Sequence, residues 1–392
     1  MPVCWIQLVQ ETLIMKTTVI IVLSVGLHAL CSGAPEDQQG AGQALKTSEA
    51  GLAADVAAAI ERGNRALLAR QHADDGSWGG DDVKVRSSHK SDYPVAISSL
   101  AYLALMTTAP EDQEALQARE KALGFILDTI EDGRMKNTRD NTPKVHERNV
   151  WSQGFSMFVL GRLLEKNAVG RGTTKQIRSR LADMVAALAK TQQADGGWTY
   201  DEGPSESFLT ATILFGLLEA REVGIEVPGK LIDQPLQLIA RQSNPGHYVA
   251  YQGVHKERKT DGKVRDSIGR SVQVELALLK AGKGSVKQLE KAVETYFRHR
   301  ERVDRVRDLE EGCHQPPYGI GTFYCFYGHF HLAQALQAVG EDTRSRYWPV
   351  LQEQFVGLQK PDGHWIDSRD HCGESYGTAM GLLVLSAPSW TR

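Results

Sequence analysis

Excess positive charge is the first thing this chain lacks. Its 392 residues carry 45 Lys and Arg against 48 Asp and Glu, a net charge of −3. No basic surface points to nucleic acid, so that class of partner is set aside. The one strongly basic stretch, Arg298-His299-Arg300-Glu301-Arg302 running to Arg307-Asp308, alternates in sign and reads as a solvated helix end or loop. Long apolar runs are also missing. Val19 to Leu30 is apolar for about a dozen residues, too short to span a bilayer but suited to a signal peptide h-region. The charged segment ahead of it begins at Met15, which reads as the true start, so 1–33 is expected to be a cleaved signal and the protein to be exported. Leu30 before Cys31 makes a poor lipobox, which sets lipid anchoring aside, and the mature chain is expected to have no transmembrane span. Residues 34–50, rich in Gly, Ala, Gln and acidic residues, read as a disordered linker.

Cysteine is scarce. Cleavage would leave Cys313, Cys325 and Cys372, an odd number, so at least one stays free or pairs outside the chain. Export permits one bridge among them, and reduced buried thiols serve equally well.

What the chain does have is repetition. Asp75-Gly76-Ser77-Trp78, Asp195-Gly196-Gly197-Trp198 and Asp362-Gly363-His364-Trp365 are three copies of one phrase, with Gln71, Gln192 and Gln359 ahead of them. A worn fourth copy runs from Gln242 to Tyr248, with Tyr in place of Trp. The spacing suits a unit of roughly 50 to 60 residues, with two of six copies having lost the phrase. Asp-Gly supplies a tight turn. Trp78, Trp198, Tyr248 and Trp365 are expected to bury their rings beneath it, while the Gln amides cap the end of the preceding helix.

Between the phrases the periodicity is helical, and the segments alternate in kind. Outer, polar-faced helices are predicted over 52–70, 114–130, 175–191, 231–241, 286–300 and 344–358. Inner helices, apolar nearly all round, are predicted over 95–106, 150–165, 208–223, 268–281, 323–339 and 376–385. Six such hairpins suggest a closed double ring, because an open stack would expose its end repeats. The expected fold is an all-α (α/α)6 toroid over 51–388, followed by a tail at 389–392. His255 to Arg265 reads as an inserted loop able to cover a ring mouth.

The Gln-x-x-x-Asp-Gly-x-Trp phrases between paired helices resemble the repeats of squalene/oxidosqualene cyclases and protein prenyltransferase beta subunits, over roughly residues 50–388. The segments Phe323 to His329, Tyr347-Trp348-Pro349 and Cys372 to Met380 look like those of exported bacterial prenyltransferase/squalene-oxidase repeat proteins. That resemblance implies the toroid and an isoprenoid-like ligand. It implies no particular reaction, because the residues of both named chemistries are incomplete. The cyclases are known for an Asp-x-Asp-Asp-Thr-Ala acid, and here Glu206-Ser207-Phe208-Leu209-Thr210-Ala211 keeps one carboxylate. The prenyltransferases hold zinc with an Asp, a Cys and a His, and the matching positions here are Phe323, Cys325 and Gly377. A thioester of the alpha-2-macroglobulin kind is excluded, since Gln315 follows Cys313 by two residues rather than three.

Two sets of candidate residues remain. Tyr93, Trp151, Glu206, Arg270, Tyr324, Tyr327 and Tyr376 enter the inner helices and are expected to rim an apolar cavity. Glu206, Asp266 and Glu374 are its candidate catalytic acids, with helix capping as their structural alternative. Cys325 and His329, one turn apart, with Cys313 and Cys372 in loops nearby, are the candidate zinc ligands; small core residues are the alternative reading. Three functional readings stay open: an exported protein that binds an apolar, isoprenoid-like ligand, whether or not it transforms it, a zinc-dependent transferase or hydrolase, and a protein-interaction scaffold.

Overall fold

The computed structural model describes residues 48–79, 93–131, 134–135, 149–199, 203–243, 249–250, 262–307, 325–367 and 373–391. The signal, linker and lipid-anchor expectations fall on 1–47, all but the last three positions of the linker lying outside the described residues. The helices belong to one compact unit, Gly42–Arg392.

Outer and inner helices alternate along the chain in six successive pairs. They are α1 (Glu49–Leu68) with α2 (Pro94–Thr108), α3 (Gln113–Thr129) with α4 (Asn149–Glu165) and α5 (Arg171–Thr191) with α6 (Ser207–Glu222). There follow α7 (Lys230–Gln242) with α8 (Gly262–Lys280), α9 (Val286–Arg307) with α10 (Cys325–Ala338) and α11 (Glu341–Leu358) with α12 (Gly373–Leu385). A short α13 (Ala387–Trp390) ends the chain, and the two-residue strands β1 (Ile130–Glu131) and β2 (Arg134–Met135) pair between α3 and α4.

Local chemistry accounts for these elements. Ser48 and Asp112 cap α1 and α3 by accepting from Gly51 N (3.3 Å) and Ala115 N (2.8 Å). The buried residues of α1, Leu52, Val56, Ala59, Gly63 and Leu67, recur every three or four positions, a stripe that faces the ring. On α6 every residue from Ser207 to Ala220 is buried, as an inner helix walled on all sides requires.

The inner helices pack in the order α2, α4, α6, α8, α10, α12 and back to α2, so the ring closes. The repeated phrases tie it together. Trp78, Trp198 and Trp365 are fully buried, and each Nε1 donates to a carbonyl at the end of the preceding outer helix: Leu67 (2.7 Å), Leu188 (3.2 Å) and Phe355 (2.8 Å). Each Trp backbone N–H is taken by a hydroxyl of the next inner helix, Ser98, Thr210 or Thr378. The Trp ring therefore does the capping expected of the Gln. The Gln amides instead hold the turn, donating to Gly76, Gly196 and Gly363 carbonyls at 2.9, 2.9 and 2.8 Å. Gln71 also donates to Ala118 of the next outer helix, and Gln359 to Ala59 of the first. Gly363 has φ +93°, and a Cβ there would stand 2.5 Å from the Arg62 carbonyl. Only glycine lets the last turn press so closely on α1. Tyr248, the worn copy, lies outside the described residues.

Two boundaries move. The basic stretch continues α9 as helix to Arg307, and α8 begins at Gly262, inside the expected loop. The expected tail is part of the core: Trp390 is 1 % exposed, stacks on Phe330 (5.1 Å between ring centres) and meets Phe158 edge-on (6.2 Å). Its indole is too large an apolar surface to leave in water beside an unfilled ring.

Candidate functional site

The two faces of the ring are built differently. Inner helices lead to the next outer helices through short connections at 109–112, 166–170, 223–229, 281–285 and 339–340. Outer helices lead to inner ones through long connections at 69–93, 130–148, 192–206, 243–261, 308–324 and 359–372. Long loops on a rigid scaffold are where binding residues gather, so the face where the inner helices begin is the candidate mouth.

Below that mouth aromatic rings occupy the axis among the described residues. Helices α4 and α10 stand opposite each other in the ring, and their aromatic rings meet across its axis. Trp151 meets Tyr327 edge-on at 5.1 Å, and Phe155 meets Tyr327 and Phe330 at 6.4 and 6.2 Å. Phe158, Phe330 and Trp390 continue the column to the short-loop face. Tyr327, expected to line a cavity, is 1 % exposed and stands inside this column. Its hydroxyl is 2.6 Å from Thr212 Oγ1, donates to the Phe208 carbonyl (3.2 Å) and is met by the Gln273 amide. Burial pushes the phenol far above its ordinary range, so it stays neutral. His331, one turn on, stacks on Phe215, and burial pulls it down to about 3, so it too is uncharged.

Trp151 forms the upper end of the column. It stacks on Phe155 (5.7 Å) and lies 5.8 Å from Phe208 of α6. Glu206 occupies the N-cap position of α6, 2 % exposed, and its Oε1 accepts from Thr199 Oγ1 (3.2 Å). Arg270 of α8 is 3 % exposed and donates from Nη2 to the Val249 carbonyl (3.1 Å). Tyr93 precedes α2, half-buried, and Tyr376 sits in the first turn of α12.

Glu374 is drawn elsewhere. At the seam between first and last hairpins, Arg70 donates from Nε to its Oε2 (2.8 Å), and Arg70 Nη2 lies 3.6 Å from exposed Asp362. His364 joins the group, with Nδ1 2.5 Å from Asp362 and Nε2 3.6 Å from Glu374. Burial would raise the Asp362 carboxyl, but His364 and then Arg70 outweigh it and hold it low. Glu374 thus joins the last hairpin to the first through Arg70. The side chain of Asp266, and Tyr324, Cys313 and Cys372, lie outside the described residues.

Cys325 and His329 do meet. Cys325 opens α10, 2 % exposed, and its Sγ is 3.7 Å from His329 Nδ1. Sequence reasoning missed their neighbour Asp304, whose carboxylate lies within 4.8 Å of both ligand atoms. Its helix runs about two turns past the predicted end at residue 300, and the alternating signs of that stretch read as a solvated face. The prenyltransferase zinc set does not fit: a Cβ at Gly377 would stand 2.3 Å from the Trp365 carbonyl, leaving no room for a histidine.

No family model matches the chain, and no curated protein does. Solved structures do. An inactive variant of an α-1,6-mannanase from Salegentibacter sp. HEL1_6, in complex with α-1,6-mannotriose, superposes with TM-score 0.53 at 7% identity, over 85% of this chain and 99% of its own. A variant of the type II terpene cyclase MstE from Scytonema, in complex with the product merosterolic acid A, gives TM-score 0.52 at 13% identity, over 87% and 100%. Another MstE variant, with its substrate geranylgeranyl dihydroxybenzoate, gives 0.50 at 15% identity over the same shares. A sugar hydrolase and a terpene cyclase share this ring, so the likeness establishes the (α/α)6 fold and leaves the chemistry to the site.

Proposed function

We propose that this protein is exported and takes an apolar, isoprenoid-like ligand at the mouth of the toroid, against the upper end of the aromatic column. The observation that carries the reading is Trp151, held between Phe155, Phe208 and Tyr327 on the long-loop side of the ring. Stacked and edge-on rings make a rigid, water-poor floor on which a polyprenyl chain can lie. Tyr93 and Tyr376 would extend that floor, and Arg270 with Glu206 would meet a polar head group. Support against the scaffold reading comes from the surface: among the described residues only Leu116 and Val286 are large, apolar and exposed, and they sit on different helices.

The test is a fluorescence titration of the full chain with geranylgeraniol. Saturable quenching of tryptophan emission in the micromolar range, abolished in Trp151→Ala while a control Trp348→Phe protein still binds, supports the reading. Absence of binding, or unchanged binding in Trp151→Ala, defeats it. N-terminal sequencing of the secreted protein checks export, which predicts a mature start at Ala34 or within a few residues of it.

A further inference from the structure

We propose that Asp304, Cys325 and His329 form a site for a zinc-like divalent metal, with three protein ligands and one open position. The three candidate ligand atoms lie within 4.8 Å of one another. In a tetrahedral zinc centre, sulfur at about 2.3 Å and nitrogen at about 2.0 Å stand roughly 3.6 Å apart. Here Cys325 Sγ and His329 Nδ1 are 3.7 Å apart. The third ligand comes from a different helix, so α9 and α10 would be clasped by the ion.

The surroundings hold these groups in place. Gln354 Nε2 donates to Asp304 Oδ1 at 2.8 Å. Tyr296 Oη lies 3.0 Å from His329 Nε2 and 3.3 Å from its Nδ1, and so bears on the edge of the imidazole. Such outer partners orient metal ligands and set their tautomer. Without a metal, Nδ1 donates to the Cys325 carbonyl at 2.6 Å. On binding, the ring proton moves to Nε2 and is donated to Tyr296, while the Cys325 thiol releases its proton to solvent. Thiolate and carboxylate together balance the dication. Asp367, whose Oδ1 accepts from Phe326 N at 2.9 Å, and Arg300 are the other charges bearing on the Tyr296 hydroxyl. One soft sulfur, one imidazole and one carboxylate favour zinc, cobalt or iron(II) over magnesium or calcium. This ligand set shares only Cys325 with the one the prenyltransferase resemblance implies, and it does not depend on the ligand reading above.

The experiment is a titration of tag-free, chelator-treated full chain with cobalt(II), followed by absorption, alongside elemental analysis of the untreated protein. One equivalent of cobalt with a sulfur-to-metal charge-transfer band is expected, and Cys325→Ser should remove the band. Asp304→Asn, half-buried and still able to accept from Gln354, should fold and bind about tenfold or more weakly. Tyr296→Phe should weaken binding about tenfold while keeping the band. No stoichiometric metal, a band that survives Cys325→Ser, or full affinity in Asp304→Asn would overturn the proposal.

Discussion

The Tyr327 hydroxyl of α10 lies 2.6 Å from the Thr212 hydroxyl of α6, so two inner helices that are not ring neighbours are bonded to each other through the middle of the ring. Gln273 of α8, between them, donates to Thr212 Oγ1 and the Phe208 carbonyl, both at 3.1 Å. The knot joins three buried polar side chains in one hydrogen-bonded network, with Gln273 Oε1 the atom it leaves without a partner among the described residues. Tyr327→Phe strips the hydroxyl from it and leaves Gln273 and Thr212 short of a partner. The expected loss is about 1–3 kcal/mol in urea unfolding. Tyr327→Phe with Thr212→Val and Gln273→Leu should recover part of it, because no polar group is then stranded. A single mutant as stable as wild type would show the knot to be inert.

Arg162 of α4 and Glu219 of α6 form a buried ion pair at 2.9 Å, with side chains 1% and 5% exposed. Glu165 lies 3.7 Å from the same guanidinium, which also sits over the Phe158 ring. Glu219→Leu alone should cost about 3–5 kcal/mol, since a charge is left behind in the core. The double variant Arg162→Met with Glu219→Leu should be much closer to wild type. Thermal melts of the four proteins form the cycle that checks this.

His331 fixes a pH dependence. Its folded value is pulled to about 3, first by burial and then by Lys280, whereas the unfolded chain keeps the ordinary 6.5. As pH falls below about 6.5 the unfolded state takes up the proton first. The contribution is therefore complete above about 6.5 and is lost toward pH 3 at about 1.4 kcal/mol per unit. Between pH 6.5 and 5 the fold should lose about 2 kcal/mol, and His331→Phe should flatten that part of the profile. Equal slopes for the two proteins would remove His331 as the cause.

Gly363→Ala should weaken ring closure. The residue has positive φ, and a methyl would meet the Arg62 carbonyl, so strain and collision combine. A loss of about 1–3 kcal/mol is expected, from calorimetry. Gly172→Ala, at a helical position with open space around it, is the control and should change little.

All twelve long helices were legible because period and polarity repeat six times, and the intact phrases fix where α1, α5 and α11 stop. What fills the bore was not legible. Inner helices that are apolar all round, such as α2 and α6, give no sign of which side faces the axis. Tyr327 therefore looked like a rim residue, and Trp390 like part of a tail. Asp304 was hidden for another reason: its charge run reads as solvated, yet Tyr296, Arg300 and Asp304 follow one another at four-residue steps on one face of α9. Glu374 could not be paired with Arg70 in advance, since 304 positions separate them along the chain.

The bonds from Gln359 to Ala59 and from Arg62 to Gln359 join the last hairpin to the first as Gln71 joins the first to the second through Ala118. Topologically, then, the ring has no beginning. Linking the end of α13 to the start of α1 and opening the chain in the short connection at 281–285 would keep every interhelical bond described above. Such a circular permutant should fold to the same toroid, with its entry point moved by two hairpins around the circle.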